Sequence, residues 1–192
     1  MLTRTRVARE FRSLWDEPKR RRTLARIVAH ERQFENWWKF ELATHLWELA
    51  SELGAHVWVE MDDRSDIVLA RSKDAAATAI DLSLSPRVPI ELKTVGTFWT
   101  SAEKAYTEPG KKRLVHDMDA ALVRACDPFA VVALLVTHAG KTHDPAMTPF
   151  LELARRLAAQ RHMLAIVDEA IDLEESSPGR SGCAHQLAWT TA

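Results

Sequence analysis

The longest apolar run of the chain, residues 129–136, most strongly limits what the chain can fold into. Its sequence, FAVVALLV, is typical of a buried strand. A membrane-spanning helix needs about 20 apolar residues, and no run in the chain reaches that length. Helical patterns lie on both sides of this run, at residues 111–125 and 149–161. We therefore expect a buried strand covered by helices, and no membrane partner.

The remaining segments alternate between helical and extended patterns. Helices are predicted at residues 3–16 and 22–53, and Gly54 is well placed to end the second. The predicted strands cover residues 56–61, 66–70, 78–84, 88–95, 129–138 and 163–167, with a closing edge strand at 186–191. This order predicts an α/β domain in which a mixed central β-sheet is flanked by helices.

Basic side chains are concentrated at the N-terminus, although the net charge of the whole chain is only −1. Nine arginine and lysine residues lie between Arg4 and Arg26, against three acids. Such an excess favours contact with phosphates or, alternatively, a solvated helix face. We divide the chain into a basic N-terminal helical segment, residues 1–30, and an α/β domain, residues 31–192.

The cysteines and the N-terminus indicate the expected compartment. Cys126 and Cys183 are too far apart for a zinc motif and too few for a disulfide framework. The arginine-rich start has no apolar core after it, so it is not a secretory signal. A reducing, cytoplasmic setting is therefore expected.

The predicted strand at residues 88–95 carries the side chains with the clearest chemical meaning. Glu91 and Lys93 are two residues apart, so they extend from the same face of a strand, whereas Ile90 and Leu92 extend from the other. Acid-x-Lys triplets also arise by chance, and Glu17-Pro18-Lys19 is a second example in a segment that a proline excludes from a central strand. The apolar setting of the first triplet favours a functional interpretation.

A second acid could join this pair across the sheet. Asp66 opens an uninterrupted apolar strand, where a carboxylate would lie at the end of the sheet. Asp81, ten residues before Glu91, is a rival, although it interrupts its own apolar segment. We favour Asp66, and Asp81 stays open as the alternative.

A third acid lies on the long predicted helix. At about 100° per residue, Glu35 falls within about 20° of Leu42, near the centre of the apolar stripe, and Glu31 lies at a similar angle on the other side. An acid there must be solvated, paired or bound to a metal. The alternative is that Glu35 lies beyond the packed part of the helix, exposed or paired with Lys39. Both interpretations stay open.

These residues and their order resemble the PD-(D/E)XK nuclease superfamily, which has the restriction-endonuclease-like fold. The segment SDIVLA would supply the acid of the second strand, and PIELKTV would supply the Glu-x-Lys of the third. The segments KKRLVHDMDAALV and FAVVALLV are similar to the helix and strand that follow. The likeness covers residues 31–138, and Ser65 stands where the motif has a proline.

The resemblance implies a metal-dependent nuclease with a restriction-endonuclease-like core. Asp66, Glu91 and Glu35 would be the metal ligands, with the backbone carbonyl of Leu92, and would hold Mg²⁺, for which Mn²⁺ can substitute. Lys93 would orient or polarise the attacking water, so the expected catalytic residues are Asp66, Glu91, Lys93 and Glu35. DNA rather than RNA is the expected substrate, and an endonuclease is expected rather than an exonuclease.

Two other functions are compatible with the sequence. The same fold could serve as a catalytically inactive module that binds nucleic acid or protein, because a fold does not secure an activity. A plain α/β protein of unrelated function is the third alternative. Many superfamily members act as homodimers, and Trp37 and Trp47, on the less buried side of the long helix, favour either such an interface or core packing.

Overall fold

The computed structural model describes residues 4–29, 35–52, 54–62, 65–70, 88–96, 112, 115, 116, 118–120, 131–138, 147–173 and 182–190. The predicted strand at residues 78–84 and the rival acids Asp81 and Glu31 lie outside these residues. Of the predicted helix at 111–125, the described residues are helical.

Four helices and six strands have defined bounds. In chain order they are α1 (Arg4–Ser13), α2 (Pro18–Ala29), α3 (Glu35–Glu52), β1 (His56–Asp62), β2 (Ser65–Ala70), β3 (Val88–Gly96), β4 (Val131–His138), α4 (Thr148–Gln160), β5 (Leu164–Ile171) and β6 (Cys183–Thr190). The strands form one sheet in the order β1-β2-β3-β4-β6-β5. Strands β3 and β4 are parallel, and the other pairs are antiparallel. The predicted α/β class with a mixed sheet is therefore confirmed, and the restriction-endonuclease-like core stays a prediction.

The apolar run that limits the fold forms β4, which has a hydrophobic core on each face. The first seven of its residues are buried, as expected of a strand with cover on both sides. Alternate residues contribute to different cores. Val131, Ala133 and Leu135 pack with helices α1 to α3. Their neighbours pack with Met118 and α4, namely Val132, Leu134 and Val136.

Helix α3 ends as its sequence predicts. Gly54 has a φ of +62°, a left-handed conformation that glycine adopts without steric cost. The Gly54 N–H donates to the Ser51 carbonyl at 3.2 Å, and the Ala55 N–H donates to the Ala50 carbonyl at 2.8 Å. This pair of hydrogen bonds is a Schellman motif. It turns the chain directly into β1 and so fixes α3 against the sheet.

The predicted closing edge strand is wrong in its position. Strand β6 pairs with both β4 and β5, so β5 is the edge on this side. The polar residues His185 and Gln186 of this strand are both buried. Gln186 Oε1 accepts a hydrogen bond from the Trp15 indole N–H, and His185 contacts Asp168. Long-range polar partners therefore allow these residues to lie inside the sheet.

The N-terminal helices pack on the same core as α3. Phe11, Leu24 and Val28 are buried there together with Trp38 of α3. The chain turns after Ser13, so α1 is shorter than the predicted helix at residues 3–16. The described part of segment 1–30 thus shares its core with the sheet, and the proposed boundary at residue 30 stays a prediction.

Two further expectations concern membranes and dimers. None of the described helices is both long enough and apolar enough to cross a membrane. Trp47 is 65% exposed, whereas Trp37 is half-buried and has its ring centroid 6.5 Å from that of Trp15. The homodimer stays a prediction.

Candidate functional site

Strands β2 and β3 bring two carboxylates to adjacent positions. Their last paired residues are Ile67 and Ile90, so the register, extended by one step, sets Asp66 opposite Glu91. Directly opposite residues of an antiparallel pair have Cβ atoms about 5 Å apart. The two side chains are 13% and 9% exposed, respectively. Two like charges therefore meet in a largely buried place, where they need positive partners.

Lys93 is one of those partners. Its Nζ lies 2.9 Å from Glu91 Oε1 and 3.9 Å from Glu35 Oε1. The first contact follows from the strand period of two residues, which puts Glu91 and Lys93 on one face. The Lys93 side chain is 18% exposed, so the ammonium is partly desolvated yet reachable from solvent.

Glu35 connects the start of α3 to β3. Its Oε2 accepts hydrogen bonds from the Thr94 N–H at 3.2 Å and from the Thr94 hydroxyl at 3.4 Å. The side chain is 37% exposed. Glu35 thus contacts β3 and is paired with Lys93, while its side chain keeps the exposure that the second interpretation expected. Its role as a metal ligand stays a prediction.

Two members of the site were missed by the sequence analysis: Glu60, and Lys39, which entered only as a partner for Glu35. Lys39 is 5% exposed, and its Nζ lies 2.8 Å from Asp66 Oδ1 and 2.7 Å from Glu60 Oε1. Burial lowers the pKa of Lys39, but hydrogen bonds to Asp66 and Glu60 outweigh it and raise the pKa overall. Lys39 is therefore an ammonium ion at neutral pH. Its position in the apolar stripe, about 20° from Leu46, was the available signal.

Glu60, the other partner of Lys39, has an unusual backbone conformation. Its φ is +51°, and it lies where the pairing of β1 is irregular, between Val59 and Asp62. A left-handed conformation costs a non-glycine residue about 1 to 2 kcal/mol. Strain of this kind is often found at functional sites. Here it accompanies the contact that ties the edge strand to α3.

Asp66 has both of its carboxylate oxygens engaged. Lys39 contacts Oδ1, and the Leu92 N–H donates to Oδ2 at 2.7 Å. Leu92 lies between Glu91 and Lys93, so the carboxylate is bonded to the backbone of the triplet itself. Two donors from different elements fix the plane of the carboxyl group.

The candidate site, defined as these six side chains, has more acid than base. It consists of Glu35, Lys39, Glu60, Asp66, Glu91 and Lys93. Four carboxylates against two ammonium groups leave a formal charge of −2 within the set. A divalent cation would balance this charge, and carboxylate oxygens are the ligands that Mg²⁺ and Mn²⁺ prefer.

The donor set fits an open metal site better than a closed one. Among the residues that the structure describes, no three acidic, histidine or cysteine side chains form a group that could hold a metal ion. Mg²⁺ is commonly held by one or two carboxylates, with waters and substrate phosphate in the other positions. Asp66 and Glu91 match that smaller set.

The basic N-terminal residues divide into two groups. Four of them form ion pairs with described acids: Arg6 with Glu52, Arg9 with Glu10, Arg12 with Glu169, and Arg20 with Glu41. Lys19, Arg22 and Arg26 of α2 are exposed. Part of the basic run therefore holds helices together, and contact of the rest with phosphates stays a prediction.

Two other groups of reactive side chains do not form catalytic sites. His45 Nε2 contacts both Ser13 Oγ at 2.9 Å and Glu10 Oε2 at 3.3 Å, while Arg20 donates to Nδ1 at 3.2 Å. A Ser-His-acid triad needs the acid at Nδ1, so this network is structural. Burial raises the pKa of the Cys183 thiol to about 11, which keeps it protonated and unreactive.

Comparison of the chain with protein-family models, with curated proteins and with solved structures gave no match.

Proposed function

We propose that the protein is a metal-dependent nuclease that hydrolyses internal phosphodiester bonds of DNA. The observation that carries the proposal is the Lys93 ammonium 2.9 Å from Glu91, on a strand whose register sets Asp66 opposite Glu91. Two buried carboxylates and a lysine at one point of a sheet suit phosphodiester hydrolysis, in which an anionic centre gains charge.

Asp66 and Glu91 would hold Mg²⁺ or Mn²⁺, and Glu35 is the proposed third acid. When bound, the metal supplies Lewis acidity: it lowers the pKa of a water molecule and offsets charge on the phosphate. The Leu92 N–H bond to Asp66 Oδ2 keeps this carboxylate oriented before substrate arrives. Such prior orientation is what a catalytic constellation needs from its supporting residues.

Lys93 is proposed to act on the phosphate and on the attacking water. Its ammonium offsets negative charge that develops on the phosphate oxygens in the transition state. Glu91 and Glu35 hold the ammonium at this position from two elements. Because the side chain is only 18% exposed, its charge is screened less than that of a surface lysine.

A nucleic acid, with DNA as the expected one, is the proposed substrate because basic residues lie on α2, next to the helix that lines the site. Arg20 of α2 bonds Glu41 of α3, and α3 carries Glu35 and Lys39. The exposed basic residues of α2 would contact the phosphate backbone through charge alone, which gives affinity without sequence preference.

The proposal is tested by cleavage of supercoiled plasmid and single-stranded DNA in Mg²⁺ and in Mn²⁺. We expect metal-dependent nicking by the native chain, and its loss in Glu91→Gln and Lys93→Met. Lys112→Met, which removes an exposed lysine outside the basic run of α2, is the matched control and should retain cleavage. Circular dichroism verifies that each variant is folded.

Two results would contradict the proposal. Cleavage that survives both Glu91→Gln and Lys93→Met would assign the activity to another site or to a contaminant. A folded native chain that cuts no plasmid, no single-stranded DNA and no RNA in either metal would contradict a nuclease function.

A second candidate function is a non-catalytic module that binds nucleic acid or protein. The engagement of both Asp66 oxygens, by Lys39 and by the Leu92 N–H, favours it, because the carboxylate is satisfied without a metal. A gel-shift assay in EDTA separates the two candidates when it is read beside the cleavage assay. Binding without cutting in either metal would support the module.

A further inference from the structure

We propose that Lys39 is a built-in counter-cation for Asp66, which competes with a divalent metal ion for that carboxylate. Lys39 would be a positioning residue and not a catalytic one. The inference rests on the metal site of the proposed function, and it adds a means by which the chain itself sets the metal requirement of that site.

The first step is the contact itself. Lys39 Nζ lies 2.8 Å from Asp66 Oδ1, a distance at which a charged hydrogen bond is strong. The other oxygen is bonded to the Leu92 N–H. A metal ion approaching Asp66 therefore meets a carboxylate that already has a cation on one oxygen. Two positive charges on one carboxylate repel each other.

The second step is that Lys39 has another acceptor to which it can turn. Glu60 Oε1 lies 2.7 Å from the same Nζ. The Glu60 side chain is 63% exposed, whereas that of Asp66 is 13% exposed. Glu60 thus gives the ammonium a partner near solvent when Asp66 is taken by a metal ion. Lys39 keeps one hydrogen-bonded carboxylate in both situations.

The third step is that the lysine cannot withdraw from the site as a whole. Its neighbours in the α3 stripe, Trp38 and Leu42, are fully buried and hold this part of the helix on the core. The Lys39 side chain is itself 7% exposed. Exchange is therefore restricted to movement of the ammonium between the two carboxylates.

The fourth step gives the expected effect of removing the charge. Without Lys39, the candidate site would have four carboxylates and one ammonium group. Asp66 and Glu91 would then repel each other more strongly in the metal-free protein and attract a dication more strongly. We expect Lys39→Met to bind Mn²⁺ at least about tenfold more tightly than the native chain, because a unit charge a few ångströms away changes the affinity by more than that even at an effective dielectric constant of about 20.

The test uses the full-length protein and MnCl₂ alone, without nucleic acid. Isothermal titration calorimetry gives the Mn²⁺ affinity, and thermal unfolding in EDTA and in MnCl₂ gives the stability. The variants are Lys39→Met, Lys39→Gln as a neutral replacement that keeps a hydrogen-bond donor, and Lys39→Arg as a replacement that keeps the charge. Lys19→Met is the control for loss of a distant exposed lysine.

We expect Lys39→Met and Lys39→Gln to unfold a few degrees lower than the native chain in EDTA, and to gain more from Mn²⁺ than the native chain gains. Lys39→Arg and Lys19→Met should bind Mn²⁺ as the native chain does. Adding Asp66→Asn to Lys39→Met should remove the gain in Mn²⁺ affinity, because the carboxylate for which Lys39 and the metal ion compete is then gone. If Lys39→Met is unfolded, Lys39→Gln provides the same comparison.

The outcomes separate this inference from the proposed function. If the native chain binds Mn²⁺ and both neutral variants bind it equally or more weakly, the role of Lys39 is overturned and the metal site of the proposed function is retained. Binding by the neutral variants but not by the native chain would support the role of Lys39 and contradict a metal-dependent native nuclease. No Mn²⁺ binding by any of the proteins would overturn both.

Discussion

Two clusters of charged side chains lie towards opposite edges of the sheet, and they differ in the number of basic partners available to each carboxylate. On β5 and β6, Asp168 receives a bidentate contact from Arg155, at 2.8 and 2.7 Å, and a third contact from His185 at 2.6 Å. In the candidate site on β1 to β3, four carboxylates share two lysines. One carboxylate in the Asp168 network thus has two basic side chains beside it, whereas four carboxylates in the candidate site have two.

The two clusters also differ in burial, and the cluster with the excess of acid is the more buried one. Asp168 and Arg155 are 38% and 42% exposed, whereas Asp66 and Glu91 are 13% and 9% exposed. Surplus charge is most costly where water is least available. The free-energy cost of burying the unbalanced carboxylates of the candidate site must therefore be offset by the groups that these carboxylates bind. The comparison therefore favours the β2–β3 cluster over the Asp168 network as the candidate functional site.

The largest expected effect comes from making the same chemical change in both clusters. Asp66→Asn should lower the rate of DNA cleavage at least 100-fold, because it removes a metal ligand, whereas Asp168→Asn should leave the rate within about twofold. Plasmid nicking at saturating Mg²⁺ measures both. Equal losses of cleavage rate in the two variants would contradict the distinction between the two clusters.

The next effect is a loss of stability, and we expect it from a substitution in the Asp168 network. Asp168→Ala removes three hydrogen bonds and leaves Arg155 without its carboxylate, which should lower the free energy of unfolding by about 2 kcal/mol after allowance for solvent exposure. Urea unfolding followed by circular dichroism measures it.

The control for this stability effect is Glu169→Ala on the same strand. Glu169 pairs with Arg12, and both side chains are about half exposed, at 49% and 47%. Surface pairs of this kind contribute at most about 1 kcal/mol. A loss in Glu169→Ala as large as that in Asp168→Ala would mean that general charge, not the network, is responsible.

A smaller effect sharpens the roles inside the candidate site. Glu35→Gln keeps an acceptor for the Thr94 N–H but removes the charge 3.9 Å from Lys93. We expect cleavage to fall about tenfold, less than for Asp66→Asn, because Glu91 still holds Lys93. Steady-state kinetics over a range of Mg²⁺ concentrations tests this, and a loss as large as that of Asp66→Asn would make Glu35 a principal ligand.

The smallest expected effect is a dependence of stability on pH. The Arg155 hydrogen bonds, together with the His185 contact, lower the pKa of Asp168 below its ordinary value of 3.8 despite partial burial. A lowered carboxyl pKa contributes stability that is complete well above pH 3.8 and is lost as the pH falls through the folded-state value.

The measurement compares the native chain with Asp168→Asn by urea unfolding at about pH 6 and about pH 3. The stability difference between them should shrink at the lower pH by less than about 1 kcal/mol, because solvent screens this exposed network. A difference that grows on acidification would contradict the assigned direction.

Much of the fold followed from local patterns in the sequence. The one helix predicted over residues 22–53 is instead two helices, α2, which begins earlier at Pro18, and α3. The buried run nevertheless became β4, the apolar stripe became the core face of α3, and Gly54 ended α3. These features depend on periods of two or 3.6 residues, which act within one element. The same rule set Glu91 and Lys93 on one face of β3.

What the sequence did not reveal depends on contacts between distant residues. The position of β6 inside the sheet required Gln186 to meet Trp15, 171 residues away along the chain. The role of Lys39 required α3 to lie where it meets Asp66 and Glu60. No local pattern specifies which strand is a neighbour or which acid a lysine will contact.

The sequence by itself therefore determined the class of fold, the bounds of most elements and the chemical character of the Glu91-x-Lys93 strand. The tertiary structure alone decided that β2 pairs with β3, so that Asp66 meets the Leu92 N–H, and that Lys39 contacts the same carboxylate. The physical reason is that secondary structure arises from short-range sterics and burial of one face, whereas the balance of charge in a site arises from the packing of elements that are far apart in the chain.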